Sequence, residues 1–531
     1  MGTQRTAAAA SVSAALLATT ALGITAPTAY ATPARTTAGV TAIASAPTVR
    51  SVDIPGSGGI ALQSSVTTPG GYDGSQRYPL LVLPSSWGLN EAEYTVAAQK
   101  LAGAGYVVVS YTPRGFGSSG GEIDVAGPKD TADATQVIDW ALAHTPADPD
   151  RIGMAGVSYG AGICLLAAAA DPRIKAVASL SGWADLVDSI FSGRTQHLQA
   201  VALLGGAAYL TGHPSAELRQ ILSDFMASRY DREDQMRAWG KLRSPITYLD
   251  RLNANGAAVM LANGWGDSIF PPNSYAEFYD KLTGPKRLEL RPGDHVTSEA
   301  TGLLGLPNDV WTDTRRWFDH YLKGSPNGVD AEQPVQLKSR TGSGGYEGYP
   351  SWSAVPAATR TIPLTTTKRI LANVDSGADG GTIFLTSLLD QIAQIPPVVS
   401  VPLLPRAVAA VWRSGTYSSA QHIRGTVTLH TTVTPAAAMG TFVAYLYDVD
   451  ALGTGKLVTH APYTFTDRTA GRSFGVDLDL FSTAYDVPKG HRLALVIDTV
   501  DPLYIEHNPA LSTITFSSPA GDPSTLSVPV S

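Results

Sequence analysis

Apolar residues in the first third of the chain fall into two patterns. Continuous short runs occupy residues 80–83, 106–110, 152–157 and 174–180. Between them lie stretches whose apolar residues recur every three or four positions, at 91–102, 130–143 and 159–170. The first pattern predicts strands and the second helices. Strands without polar alternation are buried on both faces, so the alternation predicts a mainly parallel sheet with helices on either side. Two further runs, 49–54 and 60–67, flank Pro55-Gly56-Ser57-Gly58-Gly59 and predict an opening hairpin.

The rhythm breaks at Asp185. Up to about Asp250 the pattern is helical throughout, at 198–204, 216–228 and 232–239, and predicts an inserted cap over 185–250. The alternative is a set of ordinary crossover helices. Sheet-type runs return at 257–262 and 287–290, and 310–322 predicts a last helix buried through Trp311, Trp317, Phe318, Tyr321 and Leu322. Past Gly324-Ser325-Pro326-Asn327-Gly328 the residues shift toward Thr, Val, Gly and Pro. Short runs recur at 335–339, 361–364, 381–386, 425–434, 441–447, 473–480, 491–499 and 512–517. Val427, Leu429 and Thr431 face one way there, and Thr428 and His430 the other. An all-β domain of two packed sheets is expected. The catalytic α/β domain is thus expected over 48–325 and the β-sandwich over 326–531.

At the N-terminus, Arg5 precedes the apolar run 7–26, and Ala29-Tyr30-Ala31 supplies small residues where a signal peptidase reads. Residues 1–31 are therefore expected to be a signal peptide, 32–47 a flexible leader, and the mature protein secreted. A membrane anchor is the competing reading, weakened by Pro27 and the Ala-x-Ala site. No later segment offers about 20 uncharged apolar residues, so no stable membrane span is expected. The chain has 531 residues, 38 basic and 45 acidic side chains and a net charge of −7, which argues against a nucleic-acid partner. Its single cysteine, Cys164, rules out an intrachain disulfide and a multi-thiolate metal site. No cofactor is expected, and the sequence leaves the oligomeric state open.

Gly156-Val157-Ser158-Tyr159-Gly160 carries the chemistry. In a chain with 52 glycines the bare Gly-x-Ser-x-Gly pattern is weak. Its position between a predicted strand and a predicted helix strengthens it, because a sharp strand–Ser–helix turn needs small residues on either side. The turn presents Ser158 as a nucleophile and the Tyr159 N–H as an oxyanion donor. A serine needs a base, and His295, in the loop after the 287–290 run, is best placed. His144, His197, His213 and His320 are expected in the core or on the surface. Asp267, in Asn263-Gly264-Trp265-Gly266-Asp267, fits the Ser–Asp–His chain order. Asp294 is the alternative, but neighbouring side chains diverge, so it is poorly placed to hold the His295 ring. The second oxyanion donor is expected from the loop after residues 80–83, as the Trp87 N–H, with the Ser86 hydroxyl as alternative. Phe116-Gly117-Ser118-Ser119-Gly120-Gly121 lacks the Lys-Ser/Thr ending of a phosphate loop.

These motifs, with Pro113-Arg114-Gly115-Phe116-Gly117-Ser118-Ser119-Gly120, Gly293-Asp294-His295 and, further on, Tyr417-Ser418-Ser419 and Ile423-Arg424-Gly425, resemble X-Pro dipeptidyl-peptidases and cocaine-esterase-like hydrolases. The resemblance runs from about Val49 to the C-terminus. It implies an α/β-hydrolase with a helical cap and a C-terminal jelly-roll-like domain, with Ser158 as nucleophile, Asp267 as acid and His295 as base. In cocaine-esterase-like members a tyrosine hydroxyl supplies the second oxyanion donor, and that position falls on Trp87 here. The family's Asp before Arg-Gly falls on Thr112 or Pro113.

A serine hydrolase of small ester or peptide substrates is therefore expected, with X-Pro dipeptidyl-peptidase proper as one form of it. A dipeptidyl-peptidase needs an anchor for the substrate amine, and Asp224, Glu233 and Asp234 in the cap are candidates. The rival class is a carbohydrate- or surface-binding protein on an inactive hydrolase fold, with Trp352, Trp412, Tyr445, Tyr447 and Tyr463 as a platform. Those aromatics are expected instead to fill the core, and the β domain to pack on the catalytic domain.

Overall fold

The structure, a computed structural model, describes residues 45–72, 74–342, 344–381 and 397–531. The expected signal peptide, most of the leader and nearly all of the run at 381–386 lie outside the described residues.

Ten strands form the central sheet: β1 (Thr48–Pro55), β2 (Ala61–Thr68), β3 (Tyr78–Pro84), β4 (Val107–Tyr111), β5 (Ala147–Val157), β6 (Ile174–Leu180), β7 (Ala258–Gly264), β8 (Lys286–Arg291), β9 (Val335–Leu337) and β10 (Glu347–Tyr349). Their spatial order is β1-β2-β4-β3-β5-β6-β7-β8-β9-β10. All pairs from β4 to β9 are parallel, while β1–β2 and β2–β4 at one end and β9–β10 at the other are antiparallel. The continuous hydrophobicity of β4 and β7 has the expected cause, since every residue of both is buried.

Helices α1 (Thr95–Gly103), α2 (Pro128–His144) and α3 (Tyr159–Ala170) connect the early strands. Helices α4 (Leu198–Thr211), α5 (Ala216–Met226) and α6 (Glu233–Lys241) are the longest helices of the insertion between β6 and β7. Helices α7 (Asn273–Lys281) and α8 (Asp309–Lys323) follow. One core cluster takes Leu101 from α1 and Trp317 and Phe318 from α8. Another takes Val137, Ile163 and Tyr275 from α2, α3 and α7. Strand order reverses between β3 and β5, because the chain leaves β3 toward β4 on one side and leaves β5 toward β6 on the other. The loops after these two neighbours diverge and open a crevice at the carboxyl ends of the strands.

The run at 335–339 was expected in the β domain. Residues 335–337 instead join the central sheet between β8 and the edge strand β10, with Leu288 beside Val335 and Leu290 beside Leu337. A three-residue strand has no composition of its own, and its partner decides where it belongs. Strand β5 also starts earlier than expected, because Ala147 and Asp148 pair with Tyr78 and Pro79 before a register shift.

Among the described residues, the remaining strands form an eight-stranded and a five-stranded sheet. Val427 and Leu429 are fully buried and Thr431 nearly so, whereas Thr428 and His430 are partly exposed. Gly440–Val449 lies at the centre of the smaller sheet, between Thr454–Phe465 and Arg492–Asp498, and is buried throughout. This domain grips the start of the cap. Gln199 donates to the carbonyls of Leu503 and Pro502, and Thr195 shares a hydroxyl bond with Thr464. Asn273 of α7 likewise donates to the Leu480 carbonyl and accepts from the Ser482 N–H.

Candidate active site

Strand β5 ends at Val157 and α3 begins at Tyr159, so the chain turns sharply at Ser158. The turn holds Ser158 at φ 55° and ψ −115°, a conformation that costs a side-chain-bearing residue energy and persists only where its surroundings enforce it. The flanking glycines make it possible. A Cβ on Gly156 would stand 2.3 Å from the carbonyl carbon of Gly160, and one on Gly160 would stand 2.1 Å from the Pro84 oxygen.

The loops after β7 and β8 carry Asp267 and His295 to this turn. His295 Nε2 lies 2.8 Å from Ser158 Oγ, and Nδ1 lies 2.9 Å from Asp267 Oδ2. The other Asp267 oxygen accepts from the N–H groups of Ile269 and Phe270, at 2.9 and 2.7 Å, which orients the carboxylate. Burial opposes the charged imidazole, but the Asp267 charge and hydrogen bond, with Asp294 and Glu299 nearby, outweigh it and raise His295 above the ordinary value.

Asp294 faces elsewhere. Its Oδ1 accepts from the N–H and hydroxyl of Ser268 and from the His295 N–H, and burial pushes it up to about 6. Sequence reasoning passed over Glu299 altogether. It is fully buried, accepts from the Ser181 hydroxyl at 3.0 Å, and is pushed up to about 7 by burial. Nothing local marks a glutamate four residues past His295 as buried; its burial comes from β6 and α8 closing over it.

Tyr159 opens α3, so its N–H has no acceptor inside the helix. The Trp87 N–H, from the loop after β3, makes no hydrogen bond among the described residues. Trp87 and Tyr159 meet edge to face at 5.0 Å, and both line the space in front of Ser158. The Ser86 hydroxyl is not available there, which corrects that alternative. It lies 2.6 Å from Glu93 Oε1 and 3.0 Å from the Val157 carbonyl, while its N–H also bonds Glu93. Glu93 is pushed up to about 7 by burial, and a proton on it satisfies both hydroxyl bonds at once. In the first turn of a helix such a glutamate reads as a solvent-facing residue, so the sequence carried no sign of it.

Tyr159 is fastened from behind. Its hydroxyl donates to buried Asp130 at 2.8 Å and accepts from the Ala126 N–H at 2.9 Å. Arg114 of the Pro-Arg-Gly segment pairs with buried Asp133 through two bonds of 2.7 Å. Gly115 follows at φ 76°, where a Cβ would stand 2.3 Å from the Ile123 nitrogen. This segment also bonds the end of α4, through Gly117 to Thr211 and His213 to Gly115.

An apolar cavity opens in front of Ser158, beneath α4 and α5. Of the proposed amine anchors, none lines it. Asp224 is bound by Gln220 and Arg232, Glu233 by Arg194 and Arg237, and Asp234 is exposed. The β-domain aromatics form no platform. Tyr445 and Tyr447 are fully buried, Trp412 is nearly so, and Tyr463 packs on Phe442. Cys164 is fully buried in α3, and burial pushes its thiol up. Of the other histidines, His144 stacks on Trp140 and His197 is buried under the cap.

Residues 58–297 match the sequence model of X-Pro dipeptidyl-peptidase (S15 family), and residues 327–524 that of the X-Pro dipeptidyl-peptidase C-terminal non-catalytic domain. A putative serine esterase of Mycobacterium bovis is 25% identical over 301 residues, 49% of this chain and 48% of that protein. The chain thus spans about half the length of that relative. A putative Xaa-Pro dipeptidyl-peptidase of Streptomyces avermitilis is 23% identical over 479 residues, 77% of this chain and 69% of that protein. An α-amino acid ester hydrolase structure shares the fold with a TM-score of 0.67 at 16% identity, over 93% of this chain and 98% of its own.

Proposed function

The chain belongs to the X-Pro dipeptidyl-peptidase-like family of serine hydrolases, and from that premise we propose that Ser158, His295 and Asp267 form its catalytic triad. The observation that carries this reading is the unbroken hydrogen-bonded line from Ser158 Oγ through both ring nitrogens of His295 to Asp267. Ser158 Oγ attacks the substrate carbonyl while His295 Nε2 takes its proton. Asp267 holds the ring in the tautomer that leaves Nε2 free to accept, and stabilises the imidazolium that forms. The oxyanion is held by the N–H groups of Tyr159 and Trp87, two rigid donors in a largely water-excluded site. His295 returns the proton to the leaving alcohol or amine, then activates water to release the acid.

The same proposal includes export, with cleavage after Ala31. N-terminal sequencing of protein recovered from the medium checks this, and a mature chain that keeps residues 7–26 overturns it. The triad is tested with Ser158→Ala on a p-nitrophenyl ester and a p-nitroanilide. Turnover should fall about 10⁶-fold, by analogy with loss of the nucleophile in subtilisin, with the circular dichroism spectrum unchanged. Activity that survives in this variant rejects the mechanism.

A further inference from the structure

The space in front of Ser158 is unusual in how little polarity it contains. Its walls include Leu204, Leu218, Leu222, Phe225 and Phe270, and among the described residues that line it there is no charged side chain. The polar atoms of its larger side chains are turned away and occupied. The Trp87 indole donates to the Leu204 carbonyl, the Trp183 indole to the Arg243 carbonyl, and the Tyr159 hydroxyl to Asp130. The buried Trp239 N–H, without a partner, is the exception.

A second apolar space lies against the first, and Leu186, Ile190, Ile221, Phe225 and Trp239 line both. It continues past Phe191 and Met236 to Glu233 and Arg237, which close it as an ion pair backed by Arg194. Two adjoining apolar spaces thus lie between the nucleophile and a charged outer rim, parted only by side chains that line both.

Such a path discriminates between substrates. A peptide with a free amino terminus would bury an ammonium with no carboxylate to receive it, because each cap acid is paired, exposed or at the far rim. That desolvation is uncompensated. An apolar chain instead gains with every carbon removed from water, by about fourfold in binding per methylene.

We propose that the cap encloses an acyl-chain tunnel, and that the substrates are carboxylic esters with an extended apolar acyl part, longer than four carbons. This inference rests on the nucleophile reading of Ser158. Ser158 Oγ bonds to the acyl carbon, the bond to the alcohol oxygen breaks, and the alcohol leaves with the proton that His295 took from Ser158. The acyl chain stays in the tunnel until water cleaves the Ser158 ester, giving the carboxylic acid and free serine.

The test measures kcat/KM on p-nitrophenyl esters from acetyl to decanoyl, beside X-Pro-p-nitroanilides with free and acetylated amines. The mature wild-type enzyme should favour octanoyl over acetyl by at least about tenfold, within the per-methylene gain above. Ile221→Trp, which fills the join between the two spaces, should lower that ratio about tenfold. Met236→Trp, which narrows only the outer space, should lower decanoyl relative to hexanoyl and leave the hexanoyl-to-acetyl ratio in place. The wild-type series decides the matter even where a variant does not fold. Hydrolysis of the acetyl ester with no gain on longer chains overturns the tunnel and spares the triad. Faster turnover of free-amine X-Pro substrates than of octanoyl ester does the same. Octanoyl hydrolysis that persists in Ser158→Ala strikes at the triad itself.

Discussion

His295 and His197 both lie against the loop that carries Asp267, both largely removed from water, yet their chemistry diverges. His295 is raised by the carboxylate at its Nδ1. His197 lines a second cavity, between the cap and the β domain, together with Asp267, Ser268, His460 and Tyr504. Burial pushes it down to about 4, and its Nδ1 serves as an acceptor for the Ala200 N–H at the start of α4. His460 is pushed to about 3, by burial first and by His197 second, and shares a hydrogen bond with the Tyr504 hydroxyl. Burial is common to all three. What raises His295 where the other two are lowered is a carboxylate in hydrogen-bond contact with its ring.

The comparison breaks most sharply at Asp267. Asp267→Asn should reduce kcat about 10⁴-fold, as the equivalent change does in serine proteases, because the ring loses its tautomer and its counter-charge. Asp294→Asn should stay within about tenfold, since Asp294 bonds Ser268 and the backbone. Parallel kcat measurements check the pair, and a reversal of the two effects would exchange their roles.

Stability against pH probes the other side. The folded His197 titrates below its unfolded value of about 6.5, so the folded state binds fewer protons between there and about 4. Its contribution is complete above pH 6.5 and is lost as pH falls toward 4, at up to about 1.4 kcal/mol per pH unit. His197→Asn keeps an acceptor for Ala200 and removes the titration, so urea melts should show a shallower acid slope than wild type. An unchanged slope would show that His197 does not titrate in this window.

The smallest effect sharpens the His295 side. Glu299 favours the imidazolium, so Glu299→Gln should lower the His295 value. Activity is lost as pH falls through that value, because a protonated Nε2 cannot accept from Ser158. The acid limb of kcat/KM should therefore move to lower pH by a few tenths of a unit. A buried glutamate that only fills space would leave the limb in place while changing stability alone.

Local rules carried much of this protein. Strand β4 announced itself through consecutive valines, and the turn at Ser158 through glycines two residues to either side, because a hydrophobic run and a steric clash are properties of neighbours in the chain. The order Ser158, Asp267, His295 was legible for the same reason, as each residue follows a recognisable strand. Which carboxylate meets the His295 ring was a matter of direction, and only the fold turns Asp294 toward Ser268. Glu93 and Glu299 looked like surface residues until β5, β6 and the helices around them closed. Val335–Leu337 looked like part of the β domain until β8 paired with it. The cap acids were plausible anchors in the sequence, and tertiary packing paired or exposed each of them away from Ser158. Propensity and local sterics act over a few residues, whereas burial, pairing and the aim of a side chain depend on segments that lie tens to hundreds of residues apart.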